Sequence, residues 1–333
     1  MPGPDTLRPV AAPSPEITVV HLVWAPLGGE VIERFVHAYR TRPAGREHEL
    51  AVIFNGFDGA DDPRLKAAEA QLEGLDYQRI LTAGSMLDLA AYRHAASVLD
   101  TRMICLLNSY SRPLSDGWLS MMARAAAGPA VGLLGASGSW GSRSSHVRYA
   151  AGFGGPYASV YDSRASMDRA FATLSGEQAP PSPGRGPAQL LRRRLDLVTS
   201  MARHAVWFPA FPAAHVRTNA VLVERLLWLE ICRDALHDKQ ATYRLESGRK
   251  GIMSRLTGLG LKAVVVGRDG QAYESGHWPE SLTFWQGDQE NLLIGDNQTR
   301  IYDEAEADMR LALARYAWGR RAKPGTAPIA GES

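Results

Sequence analysis

The sequence predicts an α/β fold, a mostly parallel twisted sheet with helices on both faces. Two observations carry this. Continuous apolar, β-branched runs such as ITVVHLVW (17–24) and LAVIFNG (50–56) have the pattern of strands buried on both faces. Strand and helix signals then alternate five times within residues 17–139, as βαβ units do. The length of 333 residues fits one large α/β domain with insertions, or two small domains.

The elements follow in order. The first strand leads through APLGG to a helical stretch, EVIERFVHAYR (30–40). The second leads to PRLKAAEAQLEGL (63–75), a helix with Pro63 in its first turn. YQRIL (77–81) is a short strand. SMLDLAAYRHAASVLD (85–100) reads as a helix opened by Ser85, with Asp88 as its capping-box partner. RMICLLN (102–108) is the next strand. LSDGWLSMMARAAAG (114–128) reads as a helix capped by Ser115 and closed by Gly128, and AVGLLGASGS (130–139) as a fifth strand. Such sheets bind ligands at the carboxyl ends of their strands. Residues 25–29, 55–58, 108–111 and 137–139 are therefore the first candidate site segments.

Residues 140–207 break the rhythm as an insertion. SGEQAPPSPGRGPAQ (175–189) is a loop by composition, and LLRRRLDLVTSMARHAVWF (190–208) is a basic amphipathic helix. A basic face of that kind suits a solvated surface or anionic lipid headgroups. The alternation resumes over 208–321, with a strand VRTNAVLVER (216–225), helices over 226–238 and 246–260, and a strand LKAVVVGRDG (261–270). A polar run (278–304) and a last helix to about Arg321 form a C-terminal extension. Residues 1–16, rich in proline and lacking an apolar core, read as a disordered leader, and 322–333 as a disordered tail.

Composition excludes some classes. A net charge of +2, from 37 basic and 35 acidic residues, gives no case for a nucleic-acid partner. No apolar run approaches the roughly 20 residues needed to span a bilayer, so any contact with the inner membrane surface is expected to be peripheral. Cys105 and Cys232 sit in apolar runs, as buried free thiols in a reducing cytoplasm would.

The stretches VVHLVW, VIFNG, DLAAYRHAASVLDTRMICLLNSYSRPLSDGWL, RTNAVLVER and ESGRKGIMSRLTGLGLKAVVV occur in an order that resembles a GT-A-fold glycosyltransferase. The likeness is to family-two enzymes of the rhamnosyltransferase type that build surface polysaccharide, and it covers about residues 17–139 and 208–270. It implies a nucleotide-sugar donor and a glycan or lipid-linked saccharide acceptor. In that family the strand matching Met103–Leu107 ends in Asp-x-Asp, whose acids hold a divalent cation against the donor diphosphate. Here the positions read Asn108, Ser109 and Tyr110, so no metal or other cofactor is expected. Cations would replace it, from among Arg93, Arg112, Arg217, Arg249 and Lys250, with Arg217 favoured because it opens a strand at the acceptor cleft.

The resemblance implies further roles. Asn55 and Asp58 would meet the base and ribose, although Asn-Gly is also a turn signal. Asp88 and Arg93 would lie on the helix that closes over the nucleotide. An inverting enzyme needs a base for the acceptor hydroxyl, and Glu246 stands where the family places the first acid of its acid pair, with Ser247 in place of the second. His215 and Asp238 are substitutes for it. The extension from 271 has no counterpart in that family; read from its residues alone, Trp278 and Trp285 could stack on a pyranose and Asp288, Gln289, Asn291, Asp296 and Asn297 could bond sugar hydroxyls, or the segment could be no more than capped turns. A nucleotidyltransferase would carry a basic residue in the loop APLGGE, and a dinucleotide oxidoreductase needs G-x-G-x-x-G after the first strand; neither is present. A transferase fold acting only as a binding or scaffold subunit remains an alternative.

Overall fold

The computed structural model describes residues 16–150, 198–234, 236 and 238–326. The expected loop at 175–189, the first half of the basic helix, almost all of the leader and most of the tail lie outside the described residues. Eight strands form one sheet: β1 (Ile17–Trp24), β2 (Glu49–Asn55), β3 (Gln78–Leu81), β4 (Met103–Leu107), β6 (Val131–Gly135), β9 (Ala220–Glu224), β10 (Lys262–Val266) and β11 (Ala272–Glu274). Their order is β11-β10-β6-β9-β4-β1-β2-β3. Four short strands pair outside it: β5 (Arg112–Pro113) with β12 (Ile294–Gly295), and β7 (Gly138–Ser139) with β8 (His215–Val216).

The sheet is mostly parallel, as expected. β1 pairs parallel with β2 and β4, β2 with β3, and β6 with β10. β9 is inserted antiparallel between β4 and β6, and β11 is an antiparallel edge. Register decides what this does. Leu107 pairs with Ala220 and Met103 with Glu224. The residues just before β9, Arg217 to Asn219, therefore lie at the edge where β4 ends.

Alternating side chains feed two cores. Val20, Leu22, Ile53, Ile104 and Leu106 pack with helices Asp88–Val98, Arg225–Ile231 and Ala307–Trp318. Val19, Val23, Val52, Phe54, Cys105 and Leu107 pack with helices Gly29–Thr41, Pro63–Gln71 and Trp118–Ala126 on the other face. Burying a large apolar side chain contributes about 1.5–3 kcal/mol, which is why β1 and β4 read as unbroken apolar runs. Cys105 and Cys232 are buried free thiols, and burial pushes Cys105 up to about 12. No described helix is long and apolar enough to cross a membrane.

Several boundaries differ from expectation. Helix Asp88–Val98 starts after Leu87 with no side-chain cap, so Ser85 and Asp88 form no capping box. Helix Trp118–Ala126 starts after Gly117, at φ 71°, and Ser115 does not cap it. The expected helix 246–260 is instead two, Lys239–Ser247 and Ile252–Gly258. Asp238 caps the first, accepting from the Ala241 amide at 2.7 Å. The chain doubles back so tightly between them that a Cβ on Gly248 would come within 2.2 Å of the Arg244 carbonyl. Glu246 thus sits in the last turn of a helix, not before one.

Candidate functional site

The edge where β4 ends carries the Asn-Ser-Tyr segment. Asn108 Oδ1 accepts the Tyr110 amide at 2.9 Å and lies 2.9 Å from Ser111 Oγ, which also bonds the Asn219 carbonyl. Ser109 is buried. The segment is an Asx-type turn closed on itself. Tyr110 keeps its phenolic proton: burial pushes its pKa up, Arg300 pulls it down and Asp88 adds to the rise. An engaged amide oxygen and a phenol do not fit a divalent cation that wants free carboxylate oxygens. Among the described residues, no group of three or more His, Cys, Asp or Glu side chains is placed to hold a metal.

Glu246 reaches this edge from helix Lys239–Ser247. Thr218 Oγ1, two residues before β9, donates to Glu246 Oε1 at 2.8 Å. The carboxyl is half-buried. Desolvation is the largest influence and raises its pKa; the Thr218 bond, Arg143 and Arg217 oppose it, and Asp88 adds to the rise. Asp88 opens helix Asp88–Val98 with an exposed side chain, yet protein surrounds it closely enough for desolvation to raise it too. One turn on, Tyr92 is 1% exposed, and its hydroxyl has no hydrogen-bond partner. It feels the charges of both Asp88 and Glu246. Burial thus raises both carboxyls, and the charge of Asp88 adds to the rise of Glu246; carboxyls of this kind at a sheet's carboxyl edge are candidate acid–base groups.

Arg217 lies beside this pair but is already engaged. Its Nη2 donates to Asp296 at 2.6 Å and Gln298 at 2.8 Å, its Nη1 to Ser137 at 3.2 Å, and its guanidinium sits 4.0 Å from the Phe284 ring centroid. The Asp296 carboxyl is 1% exposed. The expected role of Arg217 as a free cation for a leaving phosphate is therefore corrected: its charge is balanced inside the protein, and it braces the C-terminal extension against the strand edge. Arg143 is the better-placed cation. It opens helix Arg143–Ala150 after β7, stacks 3.4 Å from the Tyr243 ring centroid, and acts on Glu246 and His215. Arg300, 3.9 Å from Glu304, acts electrostatically on Tyr110.

The other expected residues divide. His215 joins the cluster; its Nδ1–H donates to the Ala213 carbonyl at 2.8 Å, and desolvation lowers its pKa to about 4, so it is neutral at pH 7. Asn55 is fully buried and pairs with the Met86 backbone, donating to its carbonyl at 2.7 Å and accepting from its amide at 2.8 Å. It shapes loop 82–87 and offers no direct contact to a base, which corrects that expectation. Asp58 is exposed and paired with Arg64 at 2.9 Å. Arg93 is exposed on helix Asp88–Val98. Trp278 and Trp285 are 0% and 1% exposed and belong to the core, so neither ring has a face for a sugar. Asp288 pairs with Arg310 at 2.8 Å in the extension.

The polar run 278–304 is for the most part an internal network. Gln289 donates to the Thr299 carbonyl at 2.9 Å and Asp303 at 2.7 Å, and Asp296 and Thr299 form the capping box of helix Asn297–Asp303. Gln289 holds φ at 53° and Trp285 at 46°, a left-handed backbone fixed by the bond from the Trp285 amide to Gln289 Oε1. Sequence reasoning missed Arg143, Tyr92 and Arg300. The signal for Arg143 was a lone cation in a Ser/Gly loop past a strand's carboxyl end. For Tyr92 it was the four-residue spacing from Asp88, which puts both on one helix face. An open groove of about 510 Å³ between helix Gly29–Thr41 and Arg112–Leu114 is lined by Glu30 and Glu33 but by neither Glu246 nor Asp88. Chemistry, not size, locates the candidate site.

No family model matches the chain, and no curated protein matches it. Among solved structures, it overlaps the mannosyltransferase PcManGT from Pyrobaculum calidifontis in complex with GDP-Man and Mn²⁺, with 13% identity and a TM-score of 0.42, over 82% of this chain and 60% of that one. It overlaps S. aureus TarS 1–349 in complex with UDP-GlcNAc with 13% identity and a TM-score of 0.29, over 36% of this chain and 33% of that one. GalNAc-T7 with UDP, GalNAc and Mn²⁺ gives 11% identity and a TM-score of 0.29, over 36% and 22%. This chain thus spans less than two thirds of the length of each of these proteins.

Proposed function

We propose that this protein is a glycosyltransferase. It moves a sugar from a nucleotide-sugar donor to a hydroxyl of a glycan or lipid-linked saccharide, in surface polysaccharide synthesis at the cytoplasmic face of the membrane. The observation that carries this reading is the position of Glu246: a half-buried carboxyl with a raised pKa, held by Thr218 at the carboxyl edge of a mostly parallel sheet. The order of the motifs along the chain supports the same reading.

In this mechanism Glu246 accepts the acceptor hydroxyl's proton as the oxygen attacks the anomeric carbon. The bond from that carbon to the donor diphosphate breaks, and a nucleoside diphosphate leaves. The attack is a single displacement, so the anomeric configuration inverts. Arg143 and Arg300 supply positive charge toward the leaving group, and the reaction runs without a divalent metal because the Asn108–Tyr110 turn offers none the carboxylates it needs. A second reading, a binding or scaffold subunit, draws on the same self-closed turn at Asn108. Thermal-shift titration with UDP-, dTDP-, GDP- and CMP-sugars, followed by product detection with the donor that binds, tests both. A shift with product formation supports the transferase; a shift without turnover supports a binding subunit; no shift with any donor overturns the transferase and favours a scaffold subunit.

A further inference from the structure

Helix Lys239–Ser247 carries Glu246 toward the candidate site and Arg244 toward another surface. Arg244 lies over the Trp207 ring, 5.0 Å from its centroid, and Arg203 lies over the same ring at 5.5 Å. Arg249 joins them: its Nε donates to the Ala205 carbonyl at 3.2 Å and its amide to the Trp207 carbonyl at 2.8 Å. All three arginines are exposed. None of the bonds described for them reaches a carboxylate. Asp234, the acid that feels Arg244, spends its bond on Arg255.

Residues 198–207, from which Arg203 and Trp207 project, are helical. Val198, Ala202 and Val206 recur every four residues and so line one row. All three are exposed, Val198 at 53% and Val206 at 70%. His204, by contrast, bonds back to the Ser200 carbonyl at 2.8 Å and stacks on the buried Phe208. An exposed apolar row flanked by arginines with no carboxylate bond among the described residues, and by an indole, is the composition of a helix that lies in a membrane interface.

We propose that this surface docks on a membrane bearing anionic headgroups, with the Val198–Ala202–Val206 row entering the headgroup–acyl boundary and Arg203, Arg244 and Arg249 meeting lipid phosphates. A nucleic acid would use the arginines and Trp207 but would leave the valines in water, so lipid fits the whole surface and a polyanion only half of it. Because Arg244 and Glu246 share a helix, docking brings the candidate site close to the bilayer, where a lipid-linked acceptor would be presented. The docking itself does not depend on the transferase reading.

The test is co-sedimentation of the full chain with vesicles of phosphatidylcholine alone, and with about one third phosphatidylglycerol. Binding is expected only to the anionic vesicles, weakening as salt screens it. R203A and R249A should each weaken binding about fivefold, as expected for one cation at such a surface. V206D, at an exposed position that the fold tolerates, should weaken it with every arginine in place, and R203K should retain most of it. Circular dichroism of each variant separates lost docking from lost folding. Absence of binding, or equal binding to uncharged vesicles, overturns the proposal. So does full binding by folded V206D with loss only on arginine substitution, together with displacement by a single-stranded oligonucleotide, which would assign the surface to a polyanion. Turnover on a soluble acceptor reads the transferase assignment separately.

Discussion

Thr218 donates a 2.8 Å hydrogen bond to Glu246, and this bond ties the start of the antiparallel strand β9 to the last turn of helix Lys239–Ser247. It opposes the desolvation that raises the Glu246 pKa. T218V keeps the shape and removes the donor, so the Glu246 pKa should rise further. In a profile of kcat/KM against pH, the acidic limb should move to higher pH, while donor affinity measured well above that limb stays unchanged. An acidic limb in the same place would show that another group titrates there.

The same carboxyl predicts a pH-dependent stability. Its folded pKa lies above its unfolded value, so folding disfavours the ionised form. Between the two values the native state binds more protons, and stability falls as pH rises through that window. E246Q removes the ionisation. It should therefore unfold at a higher temperature than the wild type at pH 7, and the difference should shrink as pH falls toward the ordinary glutamate range, about 4.3. Melting curves at both pH values check this; a less stable variant at pH 7 would mean that Thr218, Arg143 and Arg217 outweigh desolvation.

The Arg217–Asp296 pair is buried, with side-chain exposures of 11% and 1%. Removing one partner strands the other charge, at a cost of about 3–5 kcal/mol. R217M should lower stability by that order in urea titration, and adding D296L should restore much of it. If Arg217 were instead a free cation of the site, R217M would leave stability nearly intact and reduce turnover alone.

Asn55 offers a sharper version of a nucleotide-binding test. N55A leaves the half-buried amide and carbonyl of Met86 without their side-chain partner, at about 1 kcal/mol for each unmade bond. Hydrogen exchange should speed up in residues 82–87, and nucleoside-diphosphate affinity should fall only as far as that loop loosens. Unchanged exchange there with weakened binding would restore a direct contact.

Much of the sheet was legible because β1, β2, β4 and β10 are buried on both faces, and the hydrophobic effect writes such strands as apolar runs. The antiparallel direction of β9 was not legible, since an apolar pattern carries no polarity along the chain. The break at Gly248 to Gly251 was hidden because the helical signals on its two sides read as one. Trp278, Trp285 and Gln289 misled for a different reason. Polar side chains that satisfy one another can be buried at little cost, and in sequence such a network looks like a surface that binds sugar. The motif order singles out Glu246 but misplaces its helix, which ends rather than begins around that residue. Arg143 and Tyr92 were missed because their meaning lies in what faces them.

Turnover should persist in EDTA at a rate close to that without it, because the Asn108–Tyr110 turn offers no carboxylate. An absolute need for added Mg²⁺ or Mn²⁺, restored by titration, would contradict this.

The central claim is that Glu246 removes the acceptor proton. Glutamine at this position can still accept from Thr218, but it cannot hold the proton. With the donor that binds, single-turnover and steady-state rates of E246Q should fall about 10²–10⁴-fold, while donor affinity is nearly unchanged. A folded E246Q protein that keeps more than about a tenth of the wild-type kcat would contradict the account.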